Sequence, residues 1–390
     1  MNDEATRRWV LADFPRRPGG YAPGDAPSML RPALSRSVRF FDVATDAAFG
    51  PGANGLPVGL DGDIGLEMRW DDAAVLSLQM SHEEIARALV DVLIRDDSPT
   101  RSVALTRSAS RSRGSGQDEA PIATIERIGV VKAWTRTKGE KARVAVVDSG
   151  VNSAHPDLGD IAGWTFVPET TPEDRLGHGT RCAGVLVARL NGSGLIGVAP
   201  SASVVSLKVI DDSGNGWGGW MAGAILWCAV YGIQVANVSV KLDATQPTLE
   251  WLFDSLSSAV LVVAAAGNRS PGEDTAVVAP ARYPTVIAVA GLDESLRRLA
   301  PFSRFGPEVD IAAPAVSVRT TSGAAGYKTC QGTSVACPHV AGTAALVFSA
   351  YPDAEPREVG RRLKETAQPI ATTGDLPVGA GLVDADAATA

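Results

Sequence analysis

Five short runs of β-branched and small apolar residues recur between residues 141 and 292: KARVAVVDSG, SASVVSLKVI, IQVANVSV, SAVLVVAAAGN and YPTVIAVAG. Helical stretches separate them, among them HGTRCAGVLVARL, GWMAGAILWCAVYG and LEWLFDSLSS. Near-continuous apolar strands alternating with helices cannot keep one face in water. They predict an α/β fold, a parallel sheet with helices on both faces. In such sheets functional side chains gather beyond the carboxyl ends of the strands. Most of these runs end there in Asp, Ser, Gly or Asn, which narrows the search to a few positions.

Four of those positions complement one another. Asp148 follows the run VAVV, and His178 stands between two glycines at the start of a helix. Asn268 closes AVLVVAAAGN, and Ser334 begins the helix of GTSVACPHVAG. Each has an ordinary structural reading as well: Asp148 as a helix cap, Asn268 as a turn residue, Ser334 as an N-cap. Together they supply a complete chemistry. A serine hydroxyl becomes nucleophilic when a base takes its proton and a third group orients that base. The developing oxyanion then needs fixed donors, worth roughly 3–4 kcal/mol for one side-chain amide. Of the other histidines, His82 falls in the first turn of an N-terminal helix and His155 in a polar loop. His339 lies five positions beyond Ser334, about 140° around the helix, which directs it into the core.

The remaining sequence excludes several alternatives. A formal charge of −8 argues against nucleic acid as a partner. The longest apolar stretch considered, AGAILWCAVYGI at 222–233, is too short to span a membrane. The first twenty residues hold no apolar core of signal-peptide length, so the expected location is cytoplasmic. Cys182, Cys228, Cys330 and Cys337 lie in apolar or small-residue segments and read as free thiols.

The N-terminal part has a different texture. GDIGLEMRW at 62–70 alternates, AVLSLQM at 74–80 reads as a second strand, and RSVAL at 101–105 as a further one. SHEEIARALVDVLIRD at 81–96 opens on a capping box formed by Ser81 and Glu84. A small α+β region over 1–106, a polar linker over 107–120 and a larger α/β domain over 121–390 result. The linker's RSASRSR reads as a solvated basic run.

The order Asp, His, Asn, Ser, set in DSG, GHGT, AAAGN and GTSVACPHVAG, resembles the subtilisin-like serine proteases. The similarity covers about residues 121–390 and implies a serine endopeptidase acting on extended polypeptides. It implies Asp148 as orienter, His178 as general base and acid, Ser334 as nucleophile, and Asn268 with the Ser334 N–H as oxyanion hole. It also implies that substrate adds as a strand between two edge segments. These match Gly214, Asn215, Gly216 and Trp217 on one side and Ser239, Val240 and Lys241 on the other. No cofactor is implied for the chemistry. Asp157 and Asn191 match a structural calcium site of the family, but its N-terminal ligand has no counterpart, and no metal is assigned.

The departures from the family pattern are local. Val335 replaces the usual methionine after the nucleophile, and Cys182 lies four residues past His178, as in the proteinase K-like branch. Lys241 stands where glycine is usual, and Arg269 follows Asn268. These two cations suggest a cleft biased toward acidic side chains; Lys241 also leaves open a degenerate, peptide-binding scaffold. By its place in the chain, the N-terminal region reads as a prodomain or as a partner-binding unit.

Overall fold

A computed structural model describes residues 119–159, 161–168, 170–242, 247–370 and 378–390, together with five N-terminal strands. These are β1 (Ala12–Phe14), β2 (Arg36–Asp42), β3 (Ala47–Phe49), β4 (Ile64–Trp70) and β5 (Ala74–Met80). They form an antiparallel sheet in the order β1-β2-β4-β5, with β3 also on β2. The two strands expected at 62–70 and 74–80 are β4 and β5. Their register sets Ile64, Leu66, Met68 and Trp70 opposite Met80, Leu78, Leu76 and Ala74. The expected helix at 81–96, the strand at 101–105 and the linker up to residue 118 lie outside the described residues.

The remaining strands are β6 (Ala120–Pro121), β7 (Arg143–Asp148), β8 (Ala162–Thr165), β9 (Leu195–Ile196), β10 (Ser203–Lys208), β11 (Val235–Val238), β12 (Leu261–Ala265), β13 (Ile287–Leu292), β14 (Ile311–Pro314), β15 (Val318–Ser322) and β16 (Gly326–Cys330). Seven of them make a parallel sheet in the order β14-β13-β12-β11-β7-β10-β8. Every sheet run expected from the sequence is a strand of it, and β8 and β14 complete the two edges. Successive residues of β11, β12 and β13 are all buried. Because neighbours on a strand point to opposite faces, both faces of the sheet are covered.

From β7 the chain builds first toward β8 and β10, then returns to the other side of β7 to add β11 through β14. That reversal is a topological switch point, where the loops leaving the carboxyl ends diverge and leave a crevice. Asp148 ends β7 at this point, level with Lys208 of β10.

Five longer helices pack with the sheet: α1 (His178–Val187), α2 (Gly218–Val230), α3 (Pro247–Leu256), α4 (Thr333–Ala350) and α5 (Pro356–Glu365). β5 of the N-terminal sheet lies against α3. α4 crosses β11, β12, β13 and β14 and packs on α1. It corrects the estimate of the longest apolar stretch. α4, not 222–233, is long and apolar enough to cross a membrane, yet 89% of its apolar window is buried inside the protein. Its threonines, proline and histidine disguised the length of that stretch. His339 explains itself here: the ring is fully buried, Nδ1 donates to the Val335 carbonyl at 2.7 Å, and Nε2 accepts from the Thr124 hydroxyl at 2.8 Å.

Candidate active site

The end of β7 and the start of α1 are fastened by one hydrogen-bond cluster. The Asp174 carboxylate accepts from the Ser149 hydroxyl at 2.9 Å and from the backbone N–H groups of Leu176, Gly177 and Thr180. The Thr180 hydroxyl adds a fifth donor at 2.6 Å. Ser149 Oγ in turn accepts the Gly179 N–H at 3.0 Å. A Cβ on Gly179 would stand 2.1 Å from the Gly150 carbonyl, so only glycine lets α1 begin this close to β7.

This junction presses His178 onto Asp148. Nδ1 lies 2.7 Å from Asp148 Oδ1, which also accepts the Ser149 N–H at 2.7 Å. Asp148 is fully buried, and its Oδ2 has no partner among the described residues. Burial pushes the Asp148 carboxyl up, but the His178 charge and the hydrogen bonds outweigh it and hold it below the usual range. The Asp148 carboxylate raises His178 well above its ordinary value, against the opposing effect of burial.

Ser334 is the second residue of α4, so its N–H has no partner four residues back and points out of the helix start. Its carbonyl is held from behind by Ser239 Oγ at 3.0 Å and by Cys182 Sγ at 3.4 Å. No hydrogen bond among the described residues engages the Ser334 hydroxyl. It opens into the cleft that His178 also lines.

Asn268 follows β12 and faces this hydroxyl. Thr333 donates its N–H and its hydroxyl to Asn268 Oδ1, at 2.9 and 3.0 Å. Only the amide oxygen can accept, so Nδ2 is turned the other way, toward Ser334. Gly332, with φ at 140°, keeps the intervening space clear. A Cβ there would lie 3.1 Å from Asn268 Nδ2 and 3.2 Å from Ser334 Oγ. Asn268 Nδ2 and the Ser334 N–H thus converge on the place where an oxyanion would form.

A cleft of about 690 Å³ joins Asp148, His178, Asn268 and Ser334 to both segments assigned to substrate binding. Gly214, Asn215, Gly216 and Trp217 line one side, and Ser239, Val240 and Lys241 the other. The Ser239 hydroxyl is already spent on the Ser334 carbonyl, so that residue also positions Ser334.

Arg269 is different, and corrects the sequence expectation. It does not line the cleft: its guanidinium lies 5.7 Å over the Phe305 ring, and its backbone N–H bonds Phe302. The stretch Gly267–Arg269 runs past the Phe302–Arg304 strand segment, bridging at Asn268 and Ser303, which turns consecutive side chains to opposite sides.

Two residues that the sequence did not single out belong to the site. Asp174 could have been found from its place four residues before His178, ahead of a helix start. Lys208 gave no signal, because a lysine ending an apolar run reads as the exposed end of a strand. It is in fact fully buried, donating to the Ser149 carbonyl at 2.7 Å and to Asp212 at 2.9 Å.

Asp157 and Asn191 meet in one loop region. Asp157 Oδ2 accepts from Leu195 N–H and the Tyr327 hydroxyl, and Glu119 accepts the N–H groups of Asn191 and Gly192. Asp157 Oδ1 is buried without a partner among the described residues. That oxygen is what in this region points to a cation, and no metal is assigned. The four cysteines are free thiols, three buried and Cys330 half-buried.

The comparisons with known proteins agree with this geometry. The subtilase family model matches residues 139–382. The chain is 41% identical over 254 residues to Subtilisin NAT of Bacillus subtilis subsp. natto, covering 64% of this chain and 66% of that protein. It is 42% identical over 268 residues to Subtilisin Savinase of Lederbergia lenta, covering 68% and 97%. It is 37% identical over 329 residues to the alkaline protease of Shouchella clausii, covering 84% and 82%. The chain thus spans about two thirds of the length of the first of these relatives. The alkaline protease match exceeds what residues 121–390 can supply and reaches into the N-terminal region.

Proposed function

The chain belongs to the subtilase family, and we propose that it is a serine endopeptidase that cleaves extended polypeptides through an acyl-enzyme on Ser334. The observation that carries this reading is the meeting, at one cleft, of an Asp148–His178 pair with a Ser334 whose neighbour Gly332 leaves room for an oxyanion under Asn268.

His178 Nε2 takes the proton from Ser334 Oγ as Oγ bonds the scissile carbonyl carbon. Asp148 stabilises the resulting imidazolium without itself taking the proton. The carbonyl oxygen becomes an oxyanion held by Asn268 Nδ2–H and the Ser334 N–H, at the positive end of α4. The C–N bond then breaks, and the departing amine receives the proton from His178. Water repeats the sequence in reverse and frees Ser334. Every proton and charge is handled by these side chains, so the reading includes no cofactor.

Substrate lies extended between Gly214–Gly216 and Ser239–Lys241, held by backbone hydrogen bonds. Lys241 gives that part of the cleft a cation and favours acidic side chains before the scissile bond. A peptide-library profile indifferent to acids there would remove this part of the reading. Lys241 sits on the cleft wall and displaces no catalytic group, so nothing supports a scaffold without activity. The N-terminal region is read as a prodomain, supported by the reach of the alkaline protease similarity. A cytoplasmic location, supported by the four free thiols, completes the reading.

The decisive experiment is covalent labelling by a fluorophosphonate. The wild type is expected to label and Ser334→Ala to remain unlabelled. A folded wild type that never labels would refute the peptidase. In the same samples, wild type cut within 107–120 and an uncut Ser334→Ala would support self-removal of the N-terminal region.

A further inference from the structure

A second cavity, of about 310 Å³, adjoins the cleft and shares His178 and Ser334 with it. Asn268 and the Ser239–Lys241 segment line only the first. On the peptidase reading this division has a chemical meaning. The half of the substrate that keeps the carbonyl must lie where Asn268 can reach its oxygen, in the main cleft. The departing amine must collect its proton from His178. The chain beyond it therefore passes His178 and Ser334 into the second cavity.

The walls of that cavity carry an uncommon charge arrangement. Besides His178, its charged residues are Arg181 and Lys328, and no carboxylate lines it. Arg181 stands on α1, three residues past His178. Lys328 stands on β16, directly across from Thr320 of β15. The Thr320 hydroxyl donates to the Arg181 carbonyl at 2.7 Å, and the Thr321 hydroxyl to the Thr180 carbonyl at 2.8 Å. Gly184 allows this contact, because a Cβ there would meet both hydroxyls at 2.2 to 2.4 Å. The β15–β16 hairpin is thus bolted to α1 so that two cations from different elements open into one small cavity. Among the described residues neither the Arg181 guanidinium nor the Lys328 ammonium enters a hydrogen bond or an ion pair. Like charges brought together without a counter-charge repel, and an incoming carboxylate relieves that repulsion.

We propose that this cavity is the subsite for the leaving half of the substrate, and that Arg181 and Lys328 make it select Asp or Glu immediately after the scissile bond. Arg181 offers a planar fork suited to a carboxylate, and Lys328 a more exposed point charge. Both act on residues distinct from those that Lys241 faces.

The test uses internally quenched peptides that are identical before the scissile bond and carry Asp, Glu, Ala or Lys at the first or second position after it. A p-nitroanilide substrate, whose leaving group contains no amino acid, reports the peptidase chemistry independently. Wild type is expected to show kcat/KM at least 10-fold higher for the acidic peptides than for the lysine peptides, with the ratio shrinking as salt is raised. The ratio should fall toward unity in Arg181→Gln and in Lys328→Gln, and invert in Lys328→Glu. Lys328 lies exposed on the hairpin, so its variants keep the test open should Arg181→Gln fail to fold. Hydrolysis of the p-nitroanilide with equal rates on acidic and basic peptides would overturn the subsite and leave the peptidase standing. A ratio unmoved by either Lys328 variant would overturn it too. Failure to hydrolyse the p-nitroanilide at all would overturn the peptidase reading, and the subsite with it.

Discussion

The Ser149 hydroxyl donates to the Asp174 carboxylate at 2.9 Å, and through that bond the residue after Asp148 is tied to the loop that delivers His178. Ser149 Oγ also accepts the Gly179 N–H, so removing it leaves a buried backbone donor unpaired. Ser149→Ala is expected to cost about 1–3 kcal/mol of stability. It should lower kcat about 10-fold with little change in KM, because His178 loses its alignment and no substrate contact is touched. Thermal denaturation and steady-state kinetics check both parts.

Gly332 governs the oxyanion position. Alanine there would place a methyl group between Asn268 Nδ2 and Ser334 Oγ, at a φ of 140° that side chains rarely adopt. Gly332→Ala should lose at least about 10²-fold in kcat, comparable to removing an oxyanion donor. Asn268→Ala should match that loss and also cost about 1–3 kcal/mol of stability, because it removes the acceptor of the buried Thr333 N–H and hydroxyl. Equal activity of Gly332→Ala and wild type would mean that the oxyanion forms elsewhere.

The pH profile follows from the Asp148–His178 pair. His178 acts as a base only when neutral, and Asp148 raises its proton affinity well above the ordinary value of 6.5. The acid limb of kcat/KM should therefore fall above pH 6.5. Asp148→Asn should move the limb down and lower the plateau by about 10⁴. For stability the signs differ. The contribution from His178 is complete below 6.5 and lost as pH rises through its raised value. The contribution from Asp148 is present above 3.8 and lost as pH falls through its lowered value.

His339 makes an acid-side prediction. Burial lowers it to about 4, so the unfolded chain binds its proton first as pH falls below 6.5. Stability should decline between pH 6.5 and 4 by about 3 kcal/mol from this residue alone. His339→Gln should fold less stably at neutral pH but show a shallower decline across that interval in urea titrations.

Val335 is buried beside the nucleophile and offers no thioether to oxidants. Nearby Cys182 is a buried thiol whose ionisation burial suppresses, and only the thiolate oxidises readily. Activity should survive peroxide that oxidises accessible methionines, and Val335→Met should introduce sensitivity. Rapid peroxide inactivation of the wild type would contradict this account.

The sheet and the catalytic group were legible because both are written locally. An apolar run such as VAVV declares a buried strand, and the polar residue that ends it declares an edge. What stayed hidden depended on partners far along the chain. Lys208 is indistinguishable from an exposed strand end until the Ser149 carbonyl is seen against it. Arg269 has the right position in sequence to enter the cleft, and the neighbouring Phe305 ring decides otherwise. β15 and β16 carry little apolar alternation, so neither the hairpin nor the meeting of Lys328 with Arg181 could be anticipated.

Asp148, His178 and Ser334 come from β7, α1 and α4, and Asn268 from the segment after β12, on both sides of the sheet's point of reversal. No contiguous fragment shorter than the span from β7 to α4 contains all of them. A chain whose synthesis halts before α4 holds a base and a cradle with nothing to attack, and so is harmless to its neighbours. On the peptidase reading, hydrolytic capacity arrives only when α4, the fourth of the five longer helices that follow β7, is in place, which makes completion of the fold its own safety catch.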